Sequence, residues 1–361
     1  MEKQKIIVGL SGGVDSSVAA YLLKEQGYDV IGVTMVHFRD DASAESGQNI
    51  AAEAARVAEF LGIPHYVADF CEPFQAEVID YFTGEYLNGR TPNPCVICNR
   101  RIKWQAMMEQ GERLGATLLS TGHYARVIQL PNGRYSLQCS ATSAKDQTYA
   151  LYNLTQEQLS RTRMPLGDYT KEQVRAIAGQ IGLPVAEKPD SMEICFIPDK
   201  NYARYIETHT GSVPPAGNYV NRNGDILGRH KGIIHYTIGQ RKGLNLAMGH
   251  PVFVTEIRPD TNEVVIGEGE DLFASQLVCD HLNPMSVPEF QAGTEIWAKI
   301  RYNHKGAPAI IKEVRADTLL VEFKEPQRAI TPGQAVVFYE KDHVLGGGMI
   351  KGAVKHDRSY E

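Results

Sequence analysis

The densest chemistry in the sequence lies near its start, where Gly9-Leu10-Ser11-Gly12-Gly13-Val14-Asp15-Ser16-Ser17 joins a short apolar run to a helical pattern. A Ser-Gly-Gly-x-Asp-Ser turn between a strand and a helix is built for an anion. The two glycines let the backbone approach closely and turn its N–H groups inward. The helix N-terminus adds partial positive charge, and the serine hydroxyls add donors. This is not the Gly-x-x-x-x-Gly-Lys-[Ser/Thr] loop of nucleoside triphosphatases, because no lysine stands at the required place.

Two further motifs carry thiols. In Thr91-Pro92-Asn93-Pro94-Cys95-Val96-Ile97-Cys98-Asn99-Arg100-Arg101-Ile102-Lys103, two prolines fix an extended segment, and the Cys-x-x-Cys leads into a helix expected from near Asn99. A cysteine at a helix N-terminus beside arginines has its thiolate favoured, which suits a nucleophile. In Lys188-Pro189-Asp190-Ser191-Met192-Glu193-Ile194-Cys195-Phe196, one cysteine is expected on a short strand after a polar loop. The 95/98 pair would also serve as half a zinc site, but Cys139, Cys195 and His123 are too scattered to supply a second close pair. Cys71, Cys139 and Cys279 stand outside any motif and read as core or surface filler.

The elements that must position these residues follow from periodicity. Residues 5–10, 29–36, 65–70 and 117–122 read as strands, with helical spacing over 18–23, closed by Gly27, and a helix at 49–61 between them. Their alternation predicts an α/β, doubly wound parallel sheet with helices on both faces. His123 follows the fourth strand, at the carboxyl edge where open α/β sheets bind ligands. After about residue 160 the pattern changes. A helix over 171–180 is followed by a stretch at 211–249 rich in Gly, Pro, Asn and basic residues. There residues 231–242, with Arg241-Lys242, read either as an RNA-facing loop or as a solvated charge cluster. Short strands at 295–302, 309–314, 318–323 and 335–339 predict a small C-terminal antiparallel β-barrel or sandwich. The first of these ends in Arg301-Tyr302, where an arginine for phosphate and an aromatic for stacking can meet RNA. The expected division is residues 1–161 (with about 185–202), a central α+β module at 162–272, and the barrel at 273–361.

Composition sets the limits. A chain of 361 residues is too long for one ordinary core. With 43% hydrophobic and 22% charged residues it has the make-up of a soluble globular protein. No apolar stretch approaches the roughly 20 residues of a membrane span, and Met1-Glu2-Lys3-Gln4-Lys5 runs straight into a strand with no signal-peptide pattern. A cytoplasmic location and no membrane partner are expected. The net charge of -6 gives no hint of nucleic acid, whose partners usually show a basic footprint, although a local basic face suffices. Six cysteines in such a chain point to burial, catalysis or metal rather than to a disulfide framework.

The 11–17 loop resembles the pyrophosphate loop of the N-type ATP pyrophosphatases, which cleave ATP between its α and β phosphates and place AMP on a carbonyl oxygen. That resemblance implies ATP contacts along Gly9–Ser16, with Met35 and Gly122 approaching the adenine, and Mg²⁺ held by Asp15. The group is broad and includes GMP, NAD, asparagine and argininosuccinate synthetases. Further motifs narrow it: Thr-Pro-Asn-Pro-Cys-x-x-Cys-Asn (91–99), Thr-Gly-His-Tyr-Ala-Arg (121–126), Lys-Asp-Gln-Thr-Tyr (145–149), Ile-Cys-Phe-Ile (194–197), Tyr-Thr-Ile-Gly-Gln-Arg-Lys-Gly (236–243) and Thr-Pro-Gly-Gln-Ala (331–335). In order and over nearly the whole chain, they resemble the bacterial tRNA-specific 2-thiouridylase family.

This second resemblance implies a tRNA-uridine 2-sulfurtransferase that adenylates the 2-oxygen of the wobble uridine in the tRNAs for Lys, Glu and Gln. Cys195 receives a persulfide from a sulfur-donor protein, either a cysteine desulfurase or a relay protein. Cys98 then either frees sulfide from the persulfide or closes a disulfide with Cys195 as sulfur transfers, and a reductant resets the pair. Contacts to the anticodon arm fall on Asn93, Pro94, Cys95, His123, Lys145, Asp146, Gln147, Arg301, Tyr302 and Gln334. Many members carry aspartate where this chain has Cys95, which leaves the role of that side chain open. Two other classes compete: a small-molecule ligase with the same loop, and a non-catalytic RNA-binding or sulfur-carrier protein.

Overall fold

The computed structural model describes residues 3–38, 44–189 and 194–354. Its first unit is built on β1 (Lys5–Gly9), whose Ile6, Ile7 and Val8 are fully buried. Such a continuous apolar run belongs to a parallel strand covered on both faces. Ile7 enters one core, while Ile6 and Val8 enter another on the opposite face. With β2 (Asp29–Val36), β3 (His65–Asp69) and β4 (Leu118–Ser120), the five-stranded sheet has the order β3-β2-β1-β4, then the short strand Thr162–Arg163. Every pairing is parallel. Helix α1 (Val14–Glu25) follows β1, and α2 (Ala44–Leu61) follows β2. The doubly wound fold is the one expected. Strand order reverses between β1 and β4, so their carboxyl ends bound the crevice where such sheets take ligands.

The helix Lys171–Gln180, expected to open the central module, belongs instead to this first unit. Its Val174 and Ala178 share a core with Val18 and Ala19 of α1, joined by Leu183 and Val185. Periodicity shows that a helix has an apolar stripe but not which neighbour covers it. The next helix, Tyr202–Thr210, likewise sends Ala203 and Ile206 into the first unit's other core. What remains of the middle is a four-stranded sheet over 217–267 with its own core of Tyr219, Tyr236, Val254, Val264 and Ile266.

The C-terminal unit is a closed antiparallel barrel of six strands, in the order Phe273–Pro284, Leu319–Arg328, Ala307–Val314, Glu295–Lys299, Ala335–Glu340, His343–Val354, with the last pairing back to the first. Closure leaves no unpaired edge. The sequence hides the closing strand because it contains Gly346-Gly347-Gly348. The structure explains them: a Cβ at Gly346 would lie 2.4 Å from Asn283 O, and one at Gly347 2.5 Å from Val336 O. A hairpin from the first unit, Arg126–Gln129 with Tyr135–Gln138, joins the barrel through the pair His343 and Gln138.

Candidate active site

The 11–17 turn lies at the carboxyl end of β1, on the crevice. Gly12 adopts φ +65, in the region that favours glycine. Ser16 Oγ bonds to Gly13 O at 3.2 Å and accepts from Ser11 N at 3.2 Å, and Ser17 Oγ donates to Gly13 O at 2.8 Å. The loop thus holds its own shape. No side chain caps α1, whose cap residue is Gly13. The first-turn N–H groups are left for an outside anion. Leu10 and Val14 anchor the loop in the core while Ser11 faces solvent.

Asp15 is held from outside the motif. Tyr124 O–H and the Lys171 ammonium both donate to its Oδ1, each at 2.7 Å. Lys188 donates to Gly12 O at 3.2 Å and forms an ion pair with Glu53 of α2. Sequence reasoning missed Tyr124, Lys171 and Lys188 as parts of this site. Tyr124 and Lys188 stood inside quoted motifs without a role, and nothing local marked Lys171. Gly122 faces the loop directly: a Cβ there would lie 2.7 Å from Ser16 N and 2.8 Å from the Asp15 carbonyl carbon. Its role is therefore close approach to the first turn of α1. Met35, at the end of β2, is half-buried at the same edge of the sheet.

The thiol motifs differ from expectation in three respects. The helix begins at Pro94, not near Asn99: the Asn93 side chain accepts from Cys95 N, and proline suits the first helical position. Cys95 is therefore in the first turn and exposed, while Cys98 lies one turn further in and is half-buried. Burial pushes the Cys98 thiol up to about 11, against the opposing pull of Lys103. The favoured thiolate expected from helix position is thus not the resting state, because desolvation outweighs the nearby cation. Cys195 sits in a turn rather than on a strand, with Ile197 N bonded to Ile194 O at 2.9 Å. The buried Phe196 ring fixes that turn among Phe74, Phe82 and Tyr205. A buried phenylalanine of this kind stabilises by about 3 kcal/mol or more.

Though distant in sequence, the cysteines share one place. The Cys195 thiol is pushed up to about 12, first by the surrounding protein and then by Cys98 and Cys95, with Lys103 opposing. Cys195 and Cys95 are exposed, Cys98 is half-buried, and all three are free thiols within electrostatic reach of one another. Lys103 also reaches His37 and His123 electrostatically. Burial holds the His123 imidazole well below its usual range, so it is neutral at pH 7. Its Nδ1 lies 2.7 Å from Thr121 Oγ and its ring 5.5 Å from that of Trp104. Lys103 is thus within electrostatic reach of both the sulfurs and His123, and Gly122, next to His123 in sequence, faces the phosphate loop. Residues 190–193, between Lys188 and Cys195 in sequence, lie outside the described residues.

The remaining expected contacts line the seam between the units. Thr91 N donates to Pro332 O at 2.9 Å, Gln334 Nε2 to Thr91 O at 2.8 Å, and Thr91 Oγ to Thr237 Oγ at 3.2 Å. The barrel and the central module together brace the 91–94 segment. Arg301 and Tyr302 lie just past the strand Glu295–Lys299. Tyr302 O–H donates to Asp146 O at 3.3 Å, and Arg301 to Arg328 O at 3.1 Å. Asp146 accepts from Ser140 N at 2.8 Å and Gln147 Oε1 from Tyr124 N at 2.9 Å, so both hold the 145–149 segment in place. Lys145, Asp146 and Gln147 are half-buried, whereas Arg241 and Lys242 are exposed on the central module.

Comparison with known proteins bears on all three units. Residues 4–199 match the family model of the tRNA methyl transferase HUP domain, 203–268 the tRNA methyl transferase PRC-barrel domain, and 275–350 the aminomethyltransferase beta-barrel domain. The tRNA-specific 2-thiouridylase MnmA of Lachnoclostridium phytofermentans is 58% identical over 354 residues, covering 96% of this chain and 99% of that protein. The proteins of the same name from Clostridium perfringens and Clostridioides difficile are 52% and 50% identical, with 97% and 96% of this chain covered and 99% and 98% of theirs. The chain belongs to the tRNA-specific 2-thiouridylase family. The first matched range of this family member holds the phosphate loop, Cys95, Cys98, Cys195 and the helix Lys171–Gln180.

Proposed function

We propose that this chain is a tRNA 2-thiouridylase that joins two chemistries in one crevice: ATP activation of a base oxygen, and replacement of that oxygen by sulfur. The observation that carries this reading is that Cys98 and Cys195, far apart in sequence, lie within electrostatic reach of each other and of Lys103, which also reaches His123 beside the loop-facing Gly122. An ATP ligase for small molecules has no use for that pair of thiols.

ATP binds with its phosphates on the uncapped N-terminus of α1 and on the Ser11 and Ser16 hydroxyls, and Gly9, Leu10 and Val14 shape the floor. Asp15, a hard carboxylate in that first turn, fits Mg²⁺, which supplies neutralisation of the phosphate oxygens. The uridine O2 attacks the α phosphorus, pyrophosphate leaves, and C2 now carries AMP as a good leaving group. Cys195 bears a persulfide received from a donor protein. Its terminal sulfur attacks C2 and expels AMP, joining Cys195 to the base through two sulfurs. Cys98 then attacks the Cys195 sulfur, leaving one sulfur on C2 and closing a Cys98–Cys195 disulfide. A dithiol reductant restores both thiols with two electrons and two protons. Alternatively, Cys98 attacks the Cys195 sulfur of the persulfide, closing the same disulfide and releasing hydrosulfide, which attacks C2 and expels AMP.

The raised thiol pKa values fit this order. Neither cysteine is a strong nucleophile at rest, and bound tRNA brings the change of surroundings that activates them. The anticodon arm lies against the seam, with Asn93, Pro94 and Cys95 at the target base, His123 beside it, and Lys145, Arg301 and Tyr302 toward the backbone. Asp146, Gln147 and Gln334 set the shape of that surface. We place the enzyme in the cytoplasm with its tRNA.

The test is mass analysis of wobble nucleosides from a strain lacking the protein. Loss of 2-thiouridine derivatives is expected. An unchanged nucleoside profile would refute the assignment.

A further inference from the structure

Three free thiols lie at the sulfur end of the crevice, and the transfer proposed above uses two of them. Cys95 is left over, and it is the exposed member of the 95/98 pair. Both residues belong to the helix Pro94–Cys98, three positions apart. Residues so spaced on an α-helix have Cα atoms about 5 Å apart, inside the roughly 4.4–6.8 Å that a disulfide spans. Cys95 and Cys98 are thus placed to bond to each other without a change of fold.

The transfer ends with a Cys98–Cys195 disulfide, which must open before Cys195 can take another persulfide. Cys98 cannot carry that bond outward, because its helix is held in the core. Val96 is fully buried and its carbonyl accepts from Asn153 Nδ2 at 3.2 Å. The Asn99 side chain donates to Ala150 O at 2.9 Å. An outside thiol that attacked at Cys195 would stay bonded to the persulfide carrier itself. A thiol one helical turn from Cys98 frees Cys195 in one step, at an effective concentration far above that of any free dithiol.

We propose that Cys95 is a third catalytic thiol, which resets the site after each transfer. As a thiolate, its proton lost to solvent, Cys95 attacks Cys98 Sγ of the Cys98–Cys195 disulfide. The bond between Cys98 and Cys195 breaks, a bond between Cys95 and Cys98 forms, and Cys195 leaves as a thiolate that takes up a proton. No electrons are gained or lost in this exchange. The dithiol reductant then attacks the exposed Cys95 sulfur and restores the pair with two electrons and two protons. The assignment rests on the disulfide-forming transfer proposed above.

The test uses the full chain, loaded with persulfide by a cysteine desulfurase and then freed of small thiols. After one turnover on an anticodon-arm RNA with ATP, it is alkylated and its disulfides are mapped by mass spectrometry. The wild-type chain should hold a Cys95–Cys98 disulfide with Cys195 alkylated, and Cys95→Ser should hold Cys98–Cys195. With a limiting free dithiol, the ratio of the first-turnover rate to later rates should rise by roughly tenfold or more in Cys95→Ser. A merely structural role would slow both phases alike and leave that ratio unchanged. An unchanged ratio, or a wild-type chain that keeps Cys98–Cys195 with Cys95 alkylated, would overturn the proposal. A wild-type chain that makes 2-thiouridine with all three thiols still free would instead overturn the disulfide-forming transfer on which it rests.

Discussion

The two ends of the crevice are prepared to different degrees. The phosphate loop is finished before any ligand arrives: its serines bond to its own backbone, its glycine has the required φ, and its aspartate is already held by Tyr124 and Lys171. At the thiol end the sulfurs lie within electrostatic reach of one another, yet both Cys98 and Cys195 are held as neutral thiols by their surroundings. One end binds by preorganisation; the other waits for its substrate. That ordering suits a reaction in which a persulfide would be wasted if sulfur moved before the base was activated.

The comparison can be broken first at the prepared end. Asp15→Ala should reduce pyrophosphate release by about a thousandfold or more, because charge neutralisation at the phosphates contributes several kcal/mol. Binding of tRNA should persist. Unchanged pyrophosphate release in that variant would sink the metal assignment. Gly122→Ala should come next. Its Cβ would meet backbone atoms of Asp15 and Ser16 that cannot turn away. ATP affinity should fall roughly tenfold to a hundredfold, as expected when overpacking shifts a well-packed site, and a titration with an ATP analogue would show it.

At the waiting end the prediction concerns pH. Thiolate is the reactive form, and burial favours the neutral thiol, so little thiolate exists at pH 7. In the nucleotide-free protein, alkylation of Cys98 and Cys195 should accelerate about tenfold per pH unit between roughly pH 7 and 9, with no plateau in that window. A plateau near neutrality would mean that the thiols are already activated. The smallest effect sharpens the same point. Lys103 lowers the Cys98 pKa, so Lys103→Met should slow alkylation of Cys98 by about two- to fivefold.

The prepared end was legible in the sequence because its chemistry is local: one strand, one Gly-Gly turn and one helix start carry most of it. What sequence could not supply was Lys171 and Lys188, which reach the loop from far along the chain. The waiting end was legible only through family resemblance. Nothing in the spacing of Cys98 and Cys195 brings them together; tertiary folding around Phe196 does so. Helix start signals at 93–94 were present, since asparagine caps and proline suits the first turn. The prolines instead read as an extended segment. The helix 171–180 was visible but its partner was not, and the barrel's last strand hid behind glycines that only strand crowding explains.

The central claim is that AMP is placed on the tRNA before sulfur moves. Its most direct test is the intact mass of an anticodon-arm RNA incubated with ATP and the Cys195→Ser variant. Pyrophosphate release and an RNA heavier by one AMP, with no sulfur gained, are expected. An RNA of unchanged mass, or 2-thiouridine formed at the normal rate without Cys195, would contradict it.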